Sequence, residues 1–183
     1  MRCGINDIDR HSNQASGRSF TGICRGGYMT GIRIRKAEKS DIPGLCRMGE
    51  AFHAHAKLQS RGLNFSAGSL ANYCMFFIDN PATEIFVAAT DETLVGSIAG
   101  IVSPWFLDLT QKILTEQWWW VDKEFRGRGV EKDLLEALVS WGWGNAADKL
   151  IMVSLDAAKE QALRRYYGRQ GFEYLETHFI RGI

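Results

Sequence analysis

Apolar residues fall along this chain in two rhythms, one of period two and one near 3.6, and the changes between them outline the elements. Residues 32–35 alternate apolar and basic side chains, as a short strand does. Ser40-Asp41-Ile42-Pro43 then forms a helix start, with an acidic residue and a proline in the first turn. Ile42, Leu45, Met48 and Phe52 follow at helical spacing. A second helix carries Leu70, Tyr73, Cys74 and Phe77 on one face and is stopped by Asp79-Asn80-Pro81. Residues 84–90 and 94–102 predict two strands around a tight turn at Asp91-Glu92. Residues 103–112 predict a loop with Pro104, Trp105 and Phe106 exposed, and residues 116–121 a strand containing Trp118, Trp119 and Trp120.

After the turn at 127–129 comes a helix with Val130, Leu134, Leu138 and Trp141 in register, then a buried strand at 150–155. A further helix carries Ala162, Leu163, Tyr166 and Tyr167, and Gly171 is placed to cap its C-terminus. Residues 172–180 supply a last strand. Antiparallel neighbours come first and a β-α-β unit later, so the predicted class is α/β with a mixed, mostly antiparallel sheet flanked by helices.

Residues 1–31 break both rhythms. They are rich in Gly, Ser, Arg and Asn and carry no apolar run after Arg2, so they predict a flexible extension rather than a secretory signal, with the folded domain at 32–183. A chain of 183 residues suits one domain with a sizeable core. Its apolar fraction of 45% and charged fraction of 23% are those of an ordinary globular protein. The net charge of +1 gives no footprint for nucleic acid or a membrane surface, and no apolar run approaches a membrane span. The first 31 residues hold +2 of that charge, which leaves −1 on the remainder and argues weakly against a strongly acidic partner.

Cys3, Cys24, Cys46 and Cys74 form no C-x-x-C pair. They read as small hydrophobes in a reducing, cytoplasmic setting. His53 and His55 are two apart on a helix and point in different directions, so no metal is expected there.

The turn Arg126-Gly127-Arg128-Gly129, between a strand and a helix, is a device for holding phosphate. Glycines let the backbone approach a ligand, and the amides at a helix N-terminus point outward with the dipole behind them. Arg126 and Arg128 add charge. The turn lacks the G-x-x-x-x-G-K-[ST] spacing, and Lys132 stands where a dinucleotide fingerprint needs its last glycine. Taken alone, the turn is equally a tight strand–helix connection with solvated arginines.

The segment from Trp119 to Gly129 resembles the acyl-CoA-binding motif of the GNAT superfamily of N-acetyltransferases, in which an apolar strand precedes [Q/R]-x-x-G-x-[G/A]. Arg126 and Gly129 fit its first and fourth positions. The segment from Ala162 to Phe172 resembles that family's A-x-x-x-[FY]-Y-x-x-x-G-F run, and the opening strand and first helix are similar too. The likeness covers about residues 31–183. Two departures stand out. Glu131 replaces the last small residue of the turn, where its carboxylate would crowd a pyrophosphate unless it points away, and Lys159 stands where the family often has Asn.

The resemblance implies acetyl-CoA as donor, a primary amine of a small molecule or peptide as acceptor, and direct attack in a ternary complex. It implies that Gly127, Arg128, Gly129, Val130 and Glu131 hold the pyrophosphate with Arg126. The backbone at Trp119, Trp120 and Val121 would pair with the pantetheine arm and polarise the thioester. Tyr167 aligns with the tyrosine that faces the CoA sulfur, and Tyr166 with a packing aromatic. Glu116 lies where related enzymes frequently keep a general base, and equally reads as a solvated strand-end glutamate. Asp122, so near the turn, is the poorer candidate. Trp105, Phe106 and Trp118 are candidates to line the acceptor pocket, against the reading that strand tryptophans alternate between packed layers. The aromatic content leaves a homodimer open. The alternative function is a non-catalytic acyl-CoA-binding sensor or interaction module.

Overall fold

The computed structural model describes residues 31–153, 160–176 and 180–181. The predicted extension therefore lies outside the described residues apart from Gly31, as do Cys3, Cys24, Lys159 and part of the strand expected at 150–155.

In chain order the elements are β1 (Arg33–Lys36), α1 (Ile42–His55), α2 (Ala67–Asp79), β2 (Thr83–Ala89), β3 (Leu94–Trp105), β4 (Asp108–Val121), α3 (Val130–Gly144), β5 (Lys149–Ile151) and α4 (Glu160–Arg169). The five strands form one sheet in the order β1-β2-β3-β4-β5. Every neighbouring pair is antiparallel except β4 with β5. This is the mixed, mostly antiparallel α/β sheet that the patterning predicts.

Both faces of the sheet are covered, and β2 shows it most directly. Ile85, Val87 and Ala89 point into a cluster with Leu45 and Met48 of α1 and Cys74 and Phe77 of α2. Phe86 and Ala88 point the other way, into a cluster with Val130, Leu134, Leu135 and Leu138 of α3. Period-two alternation on a central strand thus serves two cores. Burying a side chain such as Phe77 or Leu138 is worth about 1.5–3 kcal/mol. Burial pushes the Cys74 thiol up to about 12, so it behaves as an apolar residue.

The helices start and stop as their chemistry demands. Ser66 caps α2 by accepting the Ser69 amide at 3.2 Å. Asp41 precedes α1, but its carboxylate does not cap it; it accepts the Glu38 amide at 2.8 Å and the Arg35 guanidinium at 2.6 and 2.9 Å. Arg35 thereby holds Asp41 below the usual carboxylate range and ties β1 to the entry of α1. Gly171, at φ +82°, closes α4: its amide donates to Gly168 and that of Phe172 to Tyr167.

Two expectations need correction. Residues 103–112 are not a loop: β3 runs to Trp105 and β4 begins at Asp108, leaving Phe106 and Leu107 at the tip. The sheet hides this because β2 stops pairing with β3 at Ile101, so the ribbon projects past it and Pro104 loses no ladder bond on that edge. The last strand does not form over residues 172–176, which are irregular; residues 177–179 lie outside the described residues. Tyr174 instead packs its ring under the Arg164 guanidinium of α4, 4.3 Å away.

Leu114 is wedged under Gly100 of β3 and Gly142 of α3. A Cβ at Gly100 would lie 2.7 Å from Leu114 and 3.0 Å from Leu138. Gly100→Ala should therefore destabilise the protein by about 1–3 kcal/mol through overpacking, read as a lowered urea midpoint. An unchanged midpoint would show that this layer has room to give.

Candidate active site

The site is made by a divergence. β5 pairs with β4 only at Ile113, Thr115 and the residue between them, and the two strands then separate. Beyond Thr115, from Glu116 to Val121, the β4 edge facing β5 has no strand partner among the described residues. At the same point β4 carries a bulge: Ala99 lies opposite Trp118 and Gly100 opposite Glu116, so Gln117 is the extra residue. The Tyr73 hydroxyl donates to Gln117 Oε1 at 3.0 Å and so fixes the bulge against α2.

Glu116 is 6% exposed and sits where the strands part. Its carboxylate accepts the Val153 amide at 3.0 Å, bridging the gap with a side chain. Burial raises its pKa to about 7, with the Val153 amide pulling weakly the other way. It is not a solvated strand-end residue. Tyr167 lies close enough to feel that charge. Burial first, then Glu116 and Tyr166, raise its phenol well above the ordinary value, so it stays protonated at neutral pH. Glu116 of β4 thus lies within electrostatic reach of Tyr167 of α4. Tyr167 is also boxed by Tyr166 and Phe172, with ring centroids at 5.7 and 5.4 Å.

The three tryptophans divide between the layers. Trp119 faces the α3 side and packs on Tyr166, centroids 6.1 Å apart. Trp118 and Trp120 face the α1–α2 side. Trp118 donates to Ser97 Oγ at 3.1 Å and packs on Phe77 at 5.7 Å. Trp120 lies between the Arg126 guanidinium at 4.6 Å and the His55 ring at 5.6 Å. Its indole donates to Asp122 Oδ1 at 2.8 Å, and Asp122 is also paired with Arg47 at 3.0 Å, so that carboxylate is spent on holding the strand end. Trp105 and Phe106 pack against each other at the hairpin tip, ring centroids 4.7 Å apart and planes tilted by 59°. Eight residues of β4 separate Asp108, opposite Trp105, from Glu116, roughly 27 Å along the strand, so neither ring shares this cleft.

After β4 the chain makes a short 3-10 turn (Lys123–Phe125) and then the glycine turn. Arg126 bends back to donate from Nε to the Val121 carbonyl at 2.8 Å, which braces the turn on the strand end. Gly127 and Gly129 have φ of +72° and +95°, conformations that favour glycine. A Cβ at either would meet nothing within 4 Å, so the backbone here faces open space. Gly129 is the N-cap of α3 and offers its first amides no side-chain partner. Glu131 does not point away: Oε1 accepts the Gly127 amide at 2.8 Å.

His53 Nε2 lies 2.7 Å from the Leu63 carbonyl, a hydrogen bond that ties α1 to the segment after it. The Gln117 bulge, the Val153 amide and the His55–Trp120 contact had no signal in the sequence. The Glu131–Gly127 bond had one, since a carboxylate four residues after an amide at a helix start is within reach of it.

The sheet thus parts between its fourth and fifth strands, and a glycine turn and helix N-terminus stand at the end of the fourth. The profile of the acetyltransferase (GNAT) family matches residues 52–172, and the chain belongs to that family. Among solved structures it is similar to an acetyltransferase of Trypanosoma brucei, at 19% identity and a TM-score of 0.62 over 83% of this chain and 99% of that one. An aminoglycoside acetyltransferase from an uncultured soil metagenomic sample aligns at 16% identity and 0.64, over 83% of this chain and 96% of its own. Glucosamine-6-phosphate N-acetyltransferase from Arabidopsis thaliana aligns at 16% and 0.60, over 82% and 97%. At these identities the likeness is one of fold. No curated protein sequence matches the chain.

The folded state holds the Glu116 proton up to about pH 7, against an ordinary value of 4.5. Between those values the native state binds more protons than the unfolded one, so stability falls as pH rises and levels off above about 7. Glu116→Gln removes that slope. Its stability relative to wild type should improve by about 3 kcal/mol between pH 4.5 and pH 8 in urea unfolding. A difference independent of pH would show that the carboxyl is not held protonated.

Proposed function

We propose that the protein is an acetyl-CoA-dependent N-acetyltransferase that acetylates a primary amine of a small molecule or peptide by direct attack in a ternary complex. The observation that carries this reading is the buried Glu116, bonded to the Val153 amide at the mouth of the β4–β5 divergence and within electrostatic reach of Tyr167. Two features support acetyl-CoA as the ligand. Among the described residues the β4 edge has no strand partner beyond Thr115, where an extended pantetheine arm can add to it. Gly127 and Gly129 face open space ahead of an uncapped helix N-terminus suited to a diphosphate. Bound there, acetyl-CoA supplies an activated acyl group.

The chain's own residues have the complementary tasks. An alkyl ammonium near pKa 10.4 is mostly unreactive at neutral pH. Glu116, half ionised near pH 7, accepts the proton that the amine loses, directly or through water, as the C–N bond forms. The Tyr167 hydroxyl gives a proton to the sulfur as the C–S bond breaks. The ammonium loses one proton to water before attack; the second passes from Glu116 through water to the Tyr167 phenolate, so that one ends on the thiol and the other in solvent. The β4 amides around Trp119–Val121 polarise the acyl carbonyl. No cysteine among the described residues lies beside Glu116 or Tyr167 in the elements that carry them, which fits direct transfer. The free thiols of Cys46 and Cys74 suit a cytoplasmic setting. Among the described residues no helix is long and apolar enough to cross a membrane.

Thiol release from acetyl-CoA against a panel of primary amines tests the reading. Tyr167→Phe should lower kcat by at least about a hundredfold. The wild-type kcat/KM should fall below about pH 7, where Glu116 takes its proton and ceases to act as a base. CoA binding with no turnover on any amine would favour the sensor or interaction module instead.

A further inference from the structure

We infer that Glu131 is a donor-specificity residue: its carboxylate is an internal anion that competes with a ligand's diphosphate for the glycine turn. The inference rests on the acyl-CoA reading of the site and sharpens it. Gly127 at φ +72° presents its amide to the inside of the turn, and Glu131 Oε1 accepts that amide at 2.8 Å. Glu131 is in the first turn of α3, where the helix dipole favours negative charge. A charge-assisted bond and the dipole thus reward the carboxylate for the same reasons they would reward a phosphate. The N-cap, Gly129, has no side chain to compete for the position.

A diphosphate entering the turn must therefore displace the carboxylate from Gly127, or lie beside it at the cost of like-charge repulsion. Neither cost falls on the pantetheine arm. That arm would lie along β4 beyond Thr115, and the contact of Glu131 is with Gly127, on the far side of the Val121–Arg126 corner. The donor class that follows is a pantetheine thioester whose diphosphate adds little to binding. Acetyl-pantetheine should serve nearly as well as acetyl-CoA in the wild type.

Calorimetric titration of the full chain with CoA and with pantetheine, for wild type, Glu131→Ala and Glu131→Gln, decides it. Glu131→Ala should bind CoA at least about tenfold more tightly, with the Kd for pantetheine unchanged. Glu131→Gln keeps an acceptor for Gly127 but removes the charge, so it should tighten CoA binding by a smaller factor; it also serves if the alanine variant does not fold. Equal or weaker CoA binding in the variants, or an equal gain for pantetheine, would overturn the inference while leaving the acyl-CoA site standing. Binding of neither ligand by any of the three proteins would instead sink the acyl-CoA reading itself, and the inference with it.

Discussion

Everything at this site follows from the point where β4 and β5 stop pairing. A parallel pair held by only three residue couples ends at Thr115 and Ile151, and the backbone polar groups of both strands beyond it need other partners. The protein meets the first of these demands with a side chain. Glu116 turns its carboxylate across the opening and takes the Val153 amide. The same act buries the carboxylate, and burial moves its pKa to about 7. A structural solution to an interrupted ladder thereby places a group that exchanges protons at neutral pH where an acyl group could be presented.

The rest of the fold holds that opening in place. The Gln117 bulge changes which face each following residue of β4 meets, and Tyr73 anchors it to α2. Trp120 is fixed by Asp122, and Asp122 by Arg47 of α1, so the strand end is tied to the helical layer on one side. Arg126 closes the corner on the Val121 carbonyl. The glycine turn is therefore mounted on a braced strand end, and the first turn of α3 inherits its orientation from β4.

Much of this was legible in the residues because it depends on short-range periodicity. Ile85, Val87 and Ala89 against Phe86 and Ala88 alternate as a two-faced strand must, and Val130, Leu134 and Leu138 repeat as a helix face must. Gly127, Gly129 and Gly171 stand where positive φ is needed. What escaped depends on contacts far apart in the chain or on exposed segments. The ribbon at 103–112 is nearly all exposed, so burial imposes no alternation on it. Three consecutive tryptophans mask the bulge at Gln117, since no apolar–polar change marks the extra residue. Whether Glu116 is solvated or buried depends on Val153 and Tyr167, 37 and 51 positions away, which only the fold brings near. Glu131 was recognised as out of place in the turn, but its direction was set by the Gly127 amide rather than by its own charge.

The central claim is that a CoA thioester lies along the unpaired β4 edge with its diphosphate at the glycine turn. A crystal structure with CoA bound tests it most directly. The account predicts pantetheine amides paired with the backbone between Glu116 and Val121, and diphosphate oxygens within hydrogen-bond reach of the amides at 127–131, with the Glu131 carboxylate moved off Gly127. CoA bound elsewhere, with the β4 edge bare and the Glu131–Gly127 bond intact, would contradict it.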